Sequence, residues 1–116
     1  MTQSAKSACI FCRIVAGEVG CSKLYEDDSV LAFRDAHPQA PVHGIVIPKR
    51  HVATLDDFGS DDDALLGRLM LVARQIAKEH KLAGYRVAMN INSLGGQSVF
   101  HAHLHILGGR QMDRLG

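Results

Sequence analysis

Hydrophobic residues recur at helical spacing in two stretches of the chain, one short and one long. In the short stretch, residues 9–17, apolar side chains fall four positions apart, and Gly17 is suited to end the helix. The long stretch begins at Ser60, a suitable N-cap that is followed by three aspartates, and is predicted to end at Gly84. Its buried stripe is predicted to comprise Leu65, Leu66, Leu69, Met70, Ala73, Ile76 and Ala77.

Shorter segments rich in apolar residues predict strands before and after the long helix. Residues 23–26 and 30–33 are predicted to pair as a hairpin, and residues 43–48 form a third strand that Pro48 closes. Residues 85–92 and the segment 95–109 supply the fourth and fifth strands. This order of elements predicts an α+β fold, a five-stranded antiparallel sheet with one long and one short helix, both on one side of the sheet.

Composition agrees with a single domain and excludes some classes of protein. The chain has 116 residues, 47% of them hydrophobic, and a net charge of +1 that argues against nucleic-acid binding. No apolar run approaches the roughly 18 residues of a membrane span. We expect a disordered tail at residues 1–8, which lacks the apolar stretch of a signal peptide, and one cytoplasmic domain at 9–116.

Three histidines alternate with apolar residues in the fifth predicted strand. Because side chains alternate between the two faces of a strand, His101, His103 and His105 share one face. The strand rise places the outer two α-carbons about 13 Å apart, whereas zinc–nitrogen bonds are only about 2.0–2.1 Å long. A single metal therefore cannot bind all three rings, and the pattern predicts a chemical site in which they have different roles.

A neutral imidazole can attack phosphorus and form a covalent phosphohistidine intermediate. The central residue, His103, suits this role if one ring nitrogen donates to a fixed acceptor and leaves the other as the nucleophile. His105 and His43 could donate to the non-bridging phosphoryl oxygens. The GGQS stretch at 95–98 offers backbone N–H groups and the Ser98 hydroxyl for the same anion. The sequence contains no Walker-type loop or acidic magnesium cluster, which argues against metal-dependent phosphoryl transfer.

Cys9 and Cys12 form a CxxC pair with several interpretations, since three cysteines in a chain without a signal peptide favour metal binding or catalysis over disulfides. A redox pair would belong beside a βαβ unit, which the predicted order lacks, and the pair can also be idle. A zinc site would need two more ligands, for which His51 and His101 are candidates. Asp35 also has two interpretations, as a partner for ribose hydroxyls or as an ordinary turn former.

Together these segments resemble the histidine triad superfamily. HAHLHIL at 101–107 is similar to its signature, three alternating histidines followed by apolar residues, and DAHPQAPVHGIVIPKRH, GGQS and HLHILGGRQM resemble its Hint branch, the purine nucleoside phosphoramidases. The resemblance extends over nearly all of residues 9–112. It departs at 90–94, where Asn-Ile-Asn-Ser-Leu replaces the common Asn-Glu-Gly-Ser-Asp, and at the C-terminus, which lacks the tryptophan common in animal members.

The resemblance implies hydrolysis of nucleoside 5′-phosphoramidates, such as adenosine 5′-monophosphoramidate, to a nucleoside monophosphate and an amine. His103 would become nucleotidylated, His105 and His43 would hold the phosphate, and Asp35 would bind the ribose. The implied nucleotide site of AMP or GMP type also includes Ala36, Asn90, Gly96, Gln97 and Ser98, with a purine pocket made by Ile10, Phe11, Ile14 and Phe33. Alternatives are a dinucleoside polyphosphate hydrolase or nucleotidylyl transferase, a zinc hydrolase, and a nucleotide-binding interaction module.

The resemblance also implies a structural zinc ion, with ligands at Cys9, Cys12, His51 and His101, and no catalytic metal or organic cofactor. It further implies a homodimer in which the two sheets join into one continuous sheet. No nucleic-acid or membrane partner is expected.

Overall fold

A computed structural model describes residues 8–115, in which five strands form one antiparallel sheet of order β1-β2-β3-β5-β4. The strands are β1 (Lys23–Glu26), β2 (Val30–Arg34), β3 (Val42–Pro48), β4 (Tyr85–Ala88) and β5 (Leu104–Gly108). The helices are α1 (Ile10–Val15) and α2 (Asp63–Glu79), with short 3-10 turns at Leu55–Asp57 and Ser93–Gly95. The predicted α+β fold class is confirmed, whereas residues 1–7 of the predicted tail, and Gly116, lie outside the described residues.

The two helices cover opposite faces of the sheet. On one face, Val30, Val46 and Ile106 join a buried cluster with the apolar stripe of α2. On the other face, Phe33 and Ile45 pack against α1. The expectation that both helices lie on one side is therefore wrong. β2 and β3 are buried at nearly every position, which is typical of strands that are covered on both faces, so one helix packs on each face.

The buried stripe of α2 differs from the predicted one at two positions, since Val72 is buried and Met70 is not. The fully covered residues are Leu69, Val72, Ala73, Ile76 and Ala77. Met70 is 52% exposed, so its predicted core position is wrong. Successive residues of an α-helix point about 100° apart, and Met70 therefore points away from its buried neighbour Leu69. None of the helices between residues 8 and 115 is long and apolar enough to cross a membrane.

The ends of α2 also differ from the prediction. Asp62 occupies the N-cap position in place of Ser60, and its carboxylate accepts a 2.8 Å hydrogen bond from the Gly59 N–H group. The helix stops before Gly84, because Lys81 takes up the left-handed conformation at φ +56°.

The fourth and fifth strands are shorter than predicted, and this shapes the site. β4 stops at Ala88, and β5 begins only at Leu104, so His101 and His103 lie in irregular backbone just before the strand. His105 lies within β5 opposite Ile45 of β3. The histidines are thus presented from the entry of a central strand, on the sheet face that α1 covers.

Candidate active site and metal centre

His103 is held in a defined tautomer. Its Nδ1 lies 2.8 Å from the backbone carbonyl oxygen of His101, and because a carbonyl can only accept, Nδ1 must carry the proton. The neutral ring therefore keeps its lone pair on Nε2. The residue is only 6% exposed, and this burial lowers the pKa of His103 below its ordinary value of 6.5, although the carbonyl opposes the shift. A buried imidazole with an available Nε2 lone pair is a nitrogen nucleophile.

A chain of hydrogen bonds fixes the tautomers of His43 and His105. The backbone N–H of Gln39 donates to Nδ1 of His43 at 2.9 Å, so neutral His43 carries its proton on Nε2. That Nε2 lies 2.9 Å from Nδ1 of His105 and donates to it. Neutral His105 therefore carries its own proton on Nε2. The chain of hydrogen bonds thus ends with an N–H donor on His105. The ring centroids of His105 and His103 are 4.9 Å apart.

Burial dominates the electrostatics of this histidine cluster. It lowers the pKa of His43, and it lowers the pKa of His105 to about 4 with help from the charges that His103 and His43 would carry if protonated. Asp35 raises the pKa of all three rings, but by less than burial lowers it. The three rings are consequently neutral at neutral pH.

Asp35 makes the contact of a turn former and also lines a cavity, so its turn role is confirmed and its ribose role stays a prediction. Its Oδ1 accepts a 2.8 Å hydrogen bond from the His37 N–H group, which is the contact of a turn-forming aspartate. Its Oδ2 lies 3.4 Å from Nε2 of His43 and 3.9 Å from Nδ1 of His105. Since Asp35 also lines the cavity described next, its carboxylate can accept hydrogen bonds from a ligand there.

A cavity of about 640 Å³ opens between α1 and the histidines, within the usual size range of ligand pockets. It brings together most of the residues predicted for the nucleotide site: Ile10, Phe11, Ile14, Phe33, Asp35, Ala36, Asn90, Gly96, Ser98, His103 and His105. His43 and Gln97 lie behind this lining. The sequence analysis missed Ile45, which strand alternation from His43 would have found, and Val99, His37 and residues 19–22, for which the sequence carries no comparable signal.

The GGQS stretch does not form the predicted anion nest. The N–H groups of Gly96 and Gln97 donate to the carbonyls of Ser93 and Asn92, each at 3.0 Å. These two amides are therefore used inside the loop, and the expectation is wrong for Gly96 and Gln97, whereas for Ser98 it stays a prediction. The Gln97 side chain is also used internally, since its Oε1 accepts from the Asn92 N–H group at 2.8 Å. Of this stretch, Gly96 and Ser98 line the cavity.

Cys9, Cys12, His51 and His101 converge on one point beside the histidine cluster, with all four ligand atoms within 4.8 Å of one another. Sγ of Cys12 lies 3.1 Å from Nδ1 of His51 and 3.5 Å from Nδ1 of His101, and Sγ of Cys9 lies 3.4 Å from the latter. Tetrahedral zinc, with bonds of about 2.3 Å to sulfur and 2.0–2.1 Å to nitrogen, requires neighbouring ligands about 3.5 Å apart. The four residues are close enough to hold a metal ion.

Hydrogen bonding favours a metal at this first cluster and opposes one at the second. His101 donates from Nε2 to the Pro48 carbonyl at 2.7 Å, which leaves Nδ1 unprotonated toward the cysteines, as a metal ligand must be. Asp35, His43 and His105 also lie within 4.8 Å of one another. There, however, the Gln39 N–H group keeps the proton of His43 on Nε2, the nitrogen a metal would need.

Three comparisons with known proteins agree with this geometry. A sequence profile described as HIT domain matches residues 16–112. An uncharacterised HIT-like protein of Synechococcus elongatus is 47% identical over 104 residues, which cover 89% of this chain and 91% of that protein.

Two crystal structures have the same fold over nearly their whole length. A HIT family hydrolase from Legionella pneumophila is 48% identical, with a TM-score of 0.88 and coverage of 90% of this chain and 96% of that one. A histidine triad protein from Clostridium difficile is 42% identical, with a TM-score of 0.90 and coverage of 94% and 96%.

Proposed function

The chain belongs to the HIT domain family, and we propose that it is a hydrolase of the Hint branch that cleaves purine nucleoside 5′-phosphoramidates, such as adenosine 5′-monophosphoramidate. The observation that carries the proposal is the hydrogen bond from Nδ1 of His103 to the His101 carbonyl. It leaves Nε2 as a lone-pair donor on the wall of a nucleotide-sized cavity. The similarity of the chain to HIT family hydrolases from Legionella pneumophila and Clostridium thermocellum supports the proposal that it is a hydrolase.

In the first step, Nε2 of His103 attacks phosphorus and the phosphorus–nitrogen bond breaks. The departing nitrogen takes a proton from solvent water and leaves as an amine, while the nucleotidyl group becomes bonded to His103; the water that attacks in the second step releases the balancing proton. The ring then carries a positive charge, which the His101 carbonyl stabilises through the proton on Nδ1. In the second step, water displaces the histidine and releases the nucleoside monophosphate.

Charge on the phosphoryl oxygens must be stabilised in both steps. The Nε2–H group of His105 is oriented for this by the chain that runs from Gln39 through His43. The Ser98 hydroxyl, which also lines the cavity, supplies a second donor. His43 acts in this scheme by orienting His105, because it lies behind the lining.

The remaining residues of the cavity suit the other parts of a purine nucleotide. The apolar wall formed by Ile10, Phe11, Ile14 and Phe33 would bind the base, and the Asp35 carboxylate would accept from the ribose hydroxyls. Ala36, Asn90 and Gly96 complete the part of the wall nearest the phosphate and ribose, and Gln97 supports it from behind.

We assign zinc to the metal centre as a structural ion, because two thiols and two imidazoles are its typical ligand set. The ion would crosslink α1 to the segment before β5, and no catalytic step requires it.

We also propose a homodimer in which the sheet continues across the outer edge of β4. β4 is an edge strand, and Tyr85 is 39% exposed on the face that α2 covers. Met70 and Leu71 of α2 are 52% and 46% exposed, which adds apolar surface for a second copy to cover. Light scattering at micromolar concentration should give twice the mass of the chain, and a monomer would contradict this proposal.

Replacement of the nucleophile tests the enzymatic proposal. His103→Ala should lower kcat for a nucleoside phosphoramidate by on the order of 10⁴-fold or more, while His105→Ala should lose about 10²–10³-fold. His80→Ala, at the end of α2 and outside the cavity, is the control and should retain wild-type turnover. Rapid-quench mass spectrometry should detect a nucleotidyl group on the peptide that contains His103.

The alternatives make different predictions in the same assays. Faster turnover of a dinucleoside polyphosphate than of the phosphoramidate would favour a polyphosphate hydrolase. Tight AMP binding without turnover would favour a nucleotide-binding module. Near-wild-type activity of His103→Ala would refute the mechanism.

A further inference from the structure

Asn92, at the start of the loop that leads to Ser98, has a backbone conformation that L residues rarely adopt. Its φ is +64° and its ψ is 172°, a region populated almost only by glycine, so the surrounding structure must hold it there. The loop that follows reaches the cavity through Gly96 and Ser98. Whatever holds Asn92 therefore also determines where this part of the cavity wall lies.

Gln97 provides the contacts that hold it. Its Oε1 accepts from the Asn92 N–H group at 2.8 Å, and its own N–H donates to the Asn92 carbonyl at 3.0 Å. Its Nε2 donates to the carbonyls of Ala53 at 2.7 Å and Val99 at 3.1 Å. The side chain is 5% exposed and uses both of its donor hydrogens and its acceptor oxygen in these bonds.

The anchor at Ala53 connects the loop to the nucleophile. The neighbouring Val52 carbonyl accepts a 2.7 Å hydrogen bond from Ala102, the residue directly before His103. Further along the same segment, Asp56 accepts a 2.8 Å hydrogen bond from the Asn92 side chain. Residues 52–56 thus form a common support for both walls of the phosphoryl site.

We propose that Gln97 is a positioning residue: it holds Asn92 in its glycine-like conformation and thereby sets the position of Gly96 and Ser98 relative to His103. This inference rests on the proposed phosphoramidase function for its kinetic consequence. It differs from the expectation of the sequence analysis, in which Gln97 was part of the nucleotide site, because a side chain with its hydrogen-bonding groups already paired acts on the ligand only through the loop.

Gln97→Met is the main test, because methionine has a similar length and makes none of the three side-chain hydrogen bonds. We expect kcat for a nucleoside phosphoramidate to fall at least tenfold with a smaller change in KM, since small misplacements of reacting groups cost up to about 10²-fold. Amide hydrogen exchange at residues 92–98 should become faster. Gln75→Met, at an exposed position of α2, is the matched control and should change neither quantity.

A second substitution separates positioning from a general loss of stability. Asn92→Gly removes the conformational cost that Gln97 has to offset, so in the Gln97→Met background it should restore at least half of the lost kcat on a logarithmic scale. Asn92→Gly alone also loses the side-chain hydrogen bond to Asp56, so its own kcat is the reference against which the double variant is compared. Independent, additive effects of the two substitutions would overturn the proposal.

The remaining outcomes are also decisive. If Gln97→Met does not fold, Gln97→Leu replaces it, since leucine likewise makes none of the three side-chain hydrogen bonds, including the one to Asn92, and wild-type kcat would overturn the inference. If wild-type protein turns over the phosphoramidate but Gln97→Met matches it, the inference fails and the proposed function stands. If wild-type protein does not turn over, the proposed function fails, and unchanged amide exchange in Gln97→Met would refute the positioning role as well.

Discussion

The protonation states of the three clustered imidazoles provide a prediction that does not depend on any substrate. The hydrogen bonds require Nδ1–H on His103 and Nε2–H on His43 and His105. Because burial lowers the pKa of each ring below the ordinary 6.5, each should stay neutral to a lower pH than an unburied histidine. We therefore expect the proposed nucleophile, His103, to keep its lone pair to a lower pH than an ordinary imidazole.

The pKa of His105, about 4, sets the size of the effect. At pH 5 such a ring is about 90% neutral, whereas an ordinary histidine with a pKa of 6.5 is about 3% neutral, a difference of about 30-fold. Because the folded-state pKa is below the unfolded value, the unfolded chain binds more protons between these values. The free energy of unfolding should therefore fall as the pH drops from about 6.5 to 4, by up to about 3 kcal/mol for this residue.

Long-range ¹H–¹⁵N correlation spectra distinguish the two neutral tautomers and the cation of each ring. A pH series from 8 to 4 should show the three predicted tautomers, and each ring should become protonated at a lower pH than the histidine of an unstructured reference peptide. Asp35→Asn should shift the three titrations to still lower pH, because the carboxylate raises each pKa. A proton on Nε2 of neutral His103, or a midpoint at or above 6.5, would refute the argument.

Three further predictions concern stability. Phe11→Ala should lower the free energy of unfolding by about 3–5 kcal/mol in urea denaturation, because Phe11 is the buried residue of α1 and is only 6% exposed against the sheet; a loss under 1 kcal/mol would contradict its core role. Removal of zinc by a chelator, or Cys12→Ser, should lower the thermal midpoint and the metal content together, and an unchanged midpoint would exclude a structural ion. Gly44→Ala should cost about 1–3 kcal/mol, because a Cβ would lie 3.0 Å from Leu24 and 3.1 Å from Ile106; wild-type stability would show that these side chains can move.

Periodicity and residue chemistry were sufficient for much of this architecture. The hairpin turn was predictable because Asp27 accepts hydrogen bonds from the N–H groups of Ser29 and Val30, the typical contacts of a turn aspartate. The four-residue metal set followed from counting candidate ligands for a CxxC pair, and its convergence in space agrees with that count. The turn aspartate and the CxxC pair were both interpretable from sequence because each of these local patterns has few alternative structural roles.

Features that depend on three-dimensional context were not predictable in the same way. The predicted placement of the helices was wrong because an uninterrupted run of apolar residues in a strand does not indicate which element covers each of its faces. Met70 is apolar and close to the stripe, so only the packing of α2 distinguishes it from its buried neighbours. The amides of Gly96 and Gln97 looked free to bind an anion, because the turn that uses them depends on the unusual backbone of Asn92.

α1 contains only six residues, yet ligands of the metal centre and walls of the cavity alternate along it. Cys9 caps the helix and Cys12 lies in its first turn, while Ile10, Phe11 and Ile14 face the cavity. A helix this short is not stable by itself, so if zinc and a purine nucleotide bind as proposed, both would depend on the ordering of this one segment. Any coupling between the two proposed sites must then be reciprocal: the factor by which zinc changes nucleotide affinity would equal the factor by which the nucleotide changes zinc affinity.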